Sequence, residues 1–185
     1  ILQNQYSSLR KNYEKLDEMV AELVAVRKGK VTEEQARELV LNVNYFGTML
    51  VHMGLAAGLV SGAIHSTGDT VRPALQLIKT KPGNTIVSSC FILARPDGNG
   101  GNELLAMGDC AINLFPTDDE LVEIAGETAK CAEIFGIDPK VAFLSYSTLG
   151  SGKREAVDKV RSAAAKAKER YPELAIDGEL QFDAA

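Results

Sequence analysis

From Val60 to Lys81 the chain reads VSGAIHSTGDTVRPALQLIKTK, passing from small and hydroxyl residues to an Arg-Pro pair and then to an amphipathic stretch. That order constrains the chain to a turn feeding a helix. Ala57 to Ala63 predicts a short buried strand before the turn, and the helix is expected to open near Thr70. Pro73 then falls in the first helical turn, where its missing N–H costs nothing. Lys81-Pro82-Gly83 is a strong stop. Ser61, Gly62, Ser66, Thr67, Gly68 and Thr70 offer hydroxyls and flexible backbone N–H groups, and Arg72 offers a planar fork of donors. At a helix N-terminus these residue types suit an anion such as phosphate. An ordinary strand-to-helix connection with a surface arginine accounts for the same residues, and their chemistry alone leaves both readings open.

Two helices precede this turn. Leu16, Met19, Val20, Leu23 and Val24 recur at helical spacing, with Arg27 and Lys28 at the cation-favouring end and Gly29 to stop the helix. Thr32 and Gln35 form a capping box for a second helix, whose apolar face is Ala36, Leu39, Val40, Val43, Phe46 and Leu50. From Leu39 to Gly68 there is no Asp, Glu, Lys or Arg, a run long enough to span a bilayer. Asn42, Asn44, His52 and the interspersed glycines argue instead for a buried helix followed by a buried strand. His52 reads as a satisfied core histidine.

Beyond Gly83 a new pattern starts, and the domain boundary is expected there, between residues 1–83 and 84–185. Thr85 to Leu93 and Glu103 to Leu114 predict an antiparallel pair around the glycine-rich loop Pro96 to Asn102. Thr117 and Glu120 form another capping box, for a helix that buries Leu121, Ile124, Ala125, Thr128, Ala132 and Phe135 and stops at Gly136. Val141 to Leu144 is a short strand, a helix follows from about Lys153 to Arg170, and Ala175 to Leu180 is one more strand. The helix–strand alternation predicts an α/β fold with a parallel sheet, in which ligands gather at the carboxyl ends of strands.

The loop between strand and helix, Ser145 to Lys153, invites a phosphate-loop reading that fails twice. The first required glycine is Ser147, and the hydroxyl expected after Lys153 is Arg154. A looser anion site of Ser147, Gly150, Ser151 and Lys153 stays open beside the alternative of a well-capped turn. No G-x-S-x-G elbow surrounds Ser61 or Ser66, which argues against a serine hydrolase despite the neighbouring His65. Asp177 and Glu179, two apart on a strand, are expected to share one face, where paired carboxylates could bind a cation or act as acid and base, a solvated strand end being the favoured reading.

With 45% hydrophobic and 24% charged residues the chain has the composition of a folded protein. A net charge of −5, no basic block and no Trp argue against nucleic acid. Cys90, Cys110 and Cys131 lie at wide spacing with no CxxC pair, so neither a metal site nor a disulfide framework is expected, and an odd count fits a cytoplasmic protein.

The strings SGAIHSTGDTVRPALQ, LSYSTLGSGK and AIDGELQFDAA closely resemble the phosphate acetyltransferase (phosphotransacetylase) family, over about Asn12 to Ala185. The resemblance implies two α/β/α domains with an interdomain cleft, similar in plan to isocitrate and isopropylmalate dehydrogenases, both incomplete here. It implies the reversible reaction of acetyl phosphate with coenzyme A to give acetyl-CoA and phosphate, coenzyme A serving as substrate with no separate cofactor. Arg72 in the RPA motif, and Arg27, resemble the family's phosphate- or coenzyme-holding arginines. The family's Ser-Arg pair and catalytic aspartate are expected after Ala185, and its first strands before residue 1, so that this chain alone is expected to have little activity. Two departures are Gly98, where some members carry a cysteine, and Ala57, where an acidic residue is usual. A malic-enzyme regulatory domain that binds acetyl-CoA and a phosphate butyryltransferase are the alternatives. A homodimer is expected, with no membrane partner.

Overall fold

The computed structural model describes residues 9–10 and 13–185; most of the patternless opening stretch up to Lys11 lies outside them. The chain is an α/β protein that divides into two compact units, Ile1–Lys81 and Pro82–Ala185.

In the first unit α1 (Leu16–Val26) buries Leu16, Met19, Val20 and Leu23, one face of a 3.6-residue period. Its C-cap is Arg27, and Lys28 and Gly29 turn away at φ 50° and 76°. The predicted capping box opens α2 (Glu33–Leu41): Gln35 N–H donates to Thr32 Oγ1 at 3.2 Å and Thr32 N–H to Gln35 Oε1 at 3.0 Å. The apolar pattern predicts that this helix runs on to Leu50. It stops instead at Leu41, because Asn42 caps a new helix, α3 (Val43–His52), accepting from the N–H groups of Asn44 and Tyr45 at 2.9 and 3.4 Å. The restart leaves Val43 43% exposed and buries Asn44 and Thr48.

The strand expected over Ala57 to Ala63 is not formed, and these residues are an exposed connection. A strand needs a neighbour to take its backbone donors and acceptors, and no other strand exists among the described residues of this unit. The next helix, α4 (Thr67–Leu77), starts earlier than the expected Thr70. Ser66 is its N-cap, its Oγ accepting from Asp69 N–H at 3.1 Å, so Pro73 sits inside the helix rather than in its first turn. Leu77 joins the α1 residues, Ala36, Val40 and Met49 in one core, with Tyr13 and Phe46 edge-to-face at 5.4 Å beside it.

The second unit begins with an antiparallel ribbon, β1 (Cys90–Pro96) and β2 (Asn102–Gly108), starting later than Thr85. Thr85 and Ile86 are held by a buried carboxylate instead: Glu123 accepts both backbone N–H groups at 3.0 to 3.1 Å and the Thr85 hydroxyl at 2.7 Å. Glu123 lies on α5 (Asp118–Ile134), which opens with the predicted Thr117–Glu120 box. Phe135, expected in the core, is 52% exposed beyond the helix end.

Parallel strands β3 (Lys140–Leu144) and β4 (Ala175–Leu180) are joined by α6 (Glu155–Arg170), a βαβ unit. Small residues let the layers approach. Ala163, Ala164 and Ala167 are fully buried with Val122 and Phe143, and Gly126 leaves room for the Tyr171 ring, whose Cζ would lie 2.4 Å from any added Cβ. Lys166 links the helices, its Nζ reaching Asp118 at 2.8 Å and Asp119 at 2.7 Å. No helix among the described residues is long and apolar enough to cross a membrane.

Candidate functional site

Two groups of residues carry the chemistry expected from the sequence, one in each unit. In the first unit they centre on Asn44. Pro73 has no N–H to give the carbonyl of Asp69 four residues back, and that carbonyl accepts instead from Asn44 Nδ2 at 3.2 Å. On its other side Asn44 Oδ1 accepts from the Ser61 hydroxyl at 2.5 Å. One buried carboxamide thus fixes both the connection at Ser61 and the exposed start of α4. Gly62 follows at φ 112°, a turn only glycine makes without strain. Tyr45 adds a second tie, its hydroxyl donating to Gln76 at 2.8 Å.

Most predicted hydroxyls here are spent on structure. Ser66 caps the helix and donates to Asp69 Oδ2 at 2.7 Å, and Thr70 donates to the Ser66 carbonyl at 3.0 Å. Thr67 stands exposed in the first turn. Among the described residues Arg72 has one loose ion pair, 3.6 Å to Asp69, with its side chain 59% exposed. Its fork is available to an outside anion. Ser61 and Thr70 also edge a largely apolar cleft of about 320 Å³, walled by Thr48, Val51, Leu59 and Ala74. Arg27 Nε is buried without a hydrogen-bond partner, an uncommon state for a guanidinium donor.

The second group is the loop at the carboxyl ends of β3 and β4. Its centre is Glu179, which the sequence places at a solvated strand end and the structure buries to 1% exposure. The cause is a bulge: Phe143 pairs with Gly178 and Leu144 with Leu180, so Glu179 is the extra residue and the strict alternation with Asp177 is broken. Asp177 remains outside, paired to Lys168 at 2.9 Å. Gly178, at φ 142° and with the Phe143 carbonyl 2.8 Å from any added Cβ, is required for this path.

Four donors converge on the Glu179 carboxylate. Gly150 N–H reaches Oε1 at 2.6 Å and Ser147 Oγ at 3.0 Å, while Arg161 grips both oxygens at 3.0 and 3.2 Å. The Arg161 guanidinium and then the Gly150 N–H hold this carboxyl down at about 2. Ser147 Oγ in turn accepts from Gly152 N–H at 2.8 Å, and Ser151 Oγ accepts from Thr148 N–H at 3.0 Å. Ser147 and Gly150 therefore face an internal anion, and Ser151 braces the loop through Thr148 and Ser147. Lys153 stays exposed just before α6, whose N-terminus has no side-chain cap. The buried roles of Asn44 and Glu179, and the part played by Arg161, are not visible in the sequence. The signal for Asn44 was a polar residue at core spacing in a charge-free run; for Glu179 there was none, because a bulge has no sequence period.

The profile of the family described as phosphate acetyl/butaryl transferase matches residues 5–185. The phosphate acetyltransferase of Bacillus subtilis (strain 168) is 56% identical over 94% of this chain and 52% of its own length. That of Staphylococcus aureus (strain Mu50 / ATCC 700699) is 58% identical over 91% of the chain and 51% of its own. Among solved structures, a phosphotransacetylase from Streptococcus pyogenes superposes with a TM-score of 0.86 at 56% identity, over 95% of this chain and 53% of that one. The chain spans about half the length of the curated relatives it matches. With the fold, the strings around Arg72 and Ser147 and the near-complete family match in agreement, the chain belongs to the phosphate acetyl/butaryl transferase family.

Proposed function

We propose that the protein carrying this chain is a phosphate acetyltransferase, exchanging an acetyl group between acetyl phosphate and coenzyme A. The observation that carries the reading is the 56–58% identity, over more than nine-tenths of the chain, to relatives named for that activity. The chemistry is thiolate attack on the acyl carbonyl with departure of phosphate. A free thiol titrates at about 8.5 and is mostly protonated at neutral pH, so a base assists it. The leaving phosphate and the phosphates of the coenzyme need fixed cationic donors.

Arg72, loosely paired and exposed, and Arg27, with its unpartnered Nε, are the donors assigned to those anions. Lys153 is the third cation assigned to them. Ser61 and Thr70, at the edge of the apolar cleft, line the ligand's approach while their hydroxyl protons stay on Asn44 and Ser66, with Gly62, Ser66 and Thr67 shaping the turn around it. Ser147, Gly150 and Ser151 act by holding the loop in front of Lys153. Glu179 is not the base: a carboxylate held at about 2 and carrying four donors is already ionised and gains little from a proton. The same reading includes no separate cofactor, a dehydrogenase-like two-domain plan, a cytoplasmic setting and a homodimer.

The test is steady-state kinetics on the whole protein. Arg72→Ala raises KM for acetyl phosphate or coenzyme A by at least about tenfold with a smaller change in kcat, since it removes a charge-assisted contact. Acetyl phosphate is preferred over butyryl phosphate. Unchanged kinetics would remove Arg72 from the site, and tight acetyl-CoA binding without turnover would replace the enzyme reading with a regulatory one.

A further inference from the structure

The three cysteines, far apart in sequence, meet in the second unit. Cys90 opens β1 and Cys131 lies in the last turn of α5, and the Cys90 thiol donates to Cys131 Sγ at 3.1 Å. The approach has a structural cause. Cys90 pairs across the ribbon with Gly108, and an added Cβ at Gly108 would lie 2.5 Å from Thr128 Oγ1 and 3.1 Å from Ile124 Cγ2. The bare glycine lets α5 lie directly on the ribbon, and Cys131 follows Thr128 by one turn. Cys110 is nearby but otherwise engaged, with its sulfur 3.5 Å from Ser89 Oγ and 3.6 Å from the Ser89 carbonyl. All three thiols are half-buried and free. No metal explains the grouping, since no cluster of three His, Cys, Asp or Glu fit to hold one occurs among the described residues.

We infer that Cys90 and Cys131 are a redox-reactive dithiol, oxidised by hydroperoxides to an intramolecular disulfide that staples α5 to the β1–β2 ribbon. The sulfurs need to close by about 1 Å to reach a disulfide bond length, a shift within side-chain rotation. The Cys90 thiol points its proton at Cys131 Sγ, which makes Cys131 the acceptor of the pair and the sulfur that attacks first. Burial, then the adjacent Cys131 sulfur, push the Cys90 thiol up to about 11, in keeping with Cys90 acting second. In the first step the Cys131 thiolate attacks one oxygen of the hydroperoxide. The O–O bond breaks and the product is a sulfenic acid plus, for hydrogen peroxide, hydroxide, which takes up the proton released by the Cys131 thiol to give one water. In the second step the Cys90 sulfur attacks the Cys131 sulfur. The S–S bond forms, the S–O bond breaks, and hydroxide leaves with the Cys90 proton as a second water. Two thiols lose two electrons and two protons, and the peroxide is reduced to two waters.

The full chain is reduced, freed of reductant, treated with hydrogen peroxide in the folded state, then denatured, alkylated and mapped by peptide mass spectrometry. The expected result is a Cys90–Cys131 cross-link with Cys110 alkylated, at least about tenfold over any pair containing Cys110, and reversed by dithiothreitol. Cys110→Ser keeps the cross-link, while Cys90→Ser and Cys131→Ser each abolish it. Alkylation of Cys90 and Cys131 as free thiols, a bond through Cys110, or over-oxidation of Cys131 with no bond would each overturn the inference. The wild-type map decides by itself if a variant fails to fold.

Discussion

Glu179 shows how a single carboxylate can organise a loop. Its ordinary value of 4.5 falls to about 2 in the folded protein, so the stabilisation it provides is complete above pH 4.5 and is lost as pH drops from there toward 2. Asp118, lowered from 3.8 to about 2 chiefly by the hydrogen bond from Lys166, loses its share over a similar interval. Glu179→Gln removes the charge that Arg161 and Gly150 N–H face. At pH 7 its thermal midpoint is expected to fall by about 5 °C, and the acid-induced loss between pH 4.5 and 2 to shrink by the share of Glu179, leaving that of Asp118, Glu123 and Asp177. Thermal melts of both proteins across pH 2 to 7 check this; parallel pH profiles would contradict it. Asn44 is the corresponding residue in the first unit. Asn44→Ala leaves the Asp69 carbonyl without its donor and releases Ser61, and is expected to cost about 2 kcal/mol, read from urea unfolding.

At the level of elements, what was legible depended on how local the cause was. Both capping boxes, Thr32–Gln35 and Thr117–Glu120, were readable because the reciprocal bonds lie within four residues. The same holds for the buried stripe of α1, while β3 and β4 were readable from their short apolar runs and exist because each has the other as neighbour. The strand expected at Ala57 to Ala63 failed because a strand's existence is decided by a neighbour elsewhere in the chain. The break at Asn42 was hidden by an apolar pattern that continues through it, and only the cap geometry divides α2 from α3. Glu179 and the cysteine pair escaped for a related reason: a bulge and a close helix-on-ribbon approach at Gly108 are tertiary events. The Thr117 box offers a check on the local terms. Thr117→Ala, measured by denaturation, is expected to destabilise by about 1 kcal/mol, and no change would mean that Asp118 and Lys166 alone hold the start of α5.

For the whole molecule, the candidate residues separate by what they have left to offer. Ser66, Thr70, Ser147, Gly150 and Ser151 have committed their hydroxyls or N–H groups to a helix cap, to neighbouring backbone or to Glu179. Arg72, Arg27 and Lys153 retain donors, and under the proposed function they are the groups assigned to anions. The family strings made the positions legible in the sequence; which of them remain free was not, because it depends on Glu179 and Asn44. The most direct test is a product balance. The protein carrying this chain is mixed with acetyl phosphate and coenzyme A, and thioester and phosphate are measured together. The account predicts equal amounts of both, with neither formed when coenzyme A is omitted. Phosphate released without thioester would contradict it.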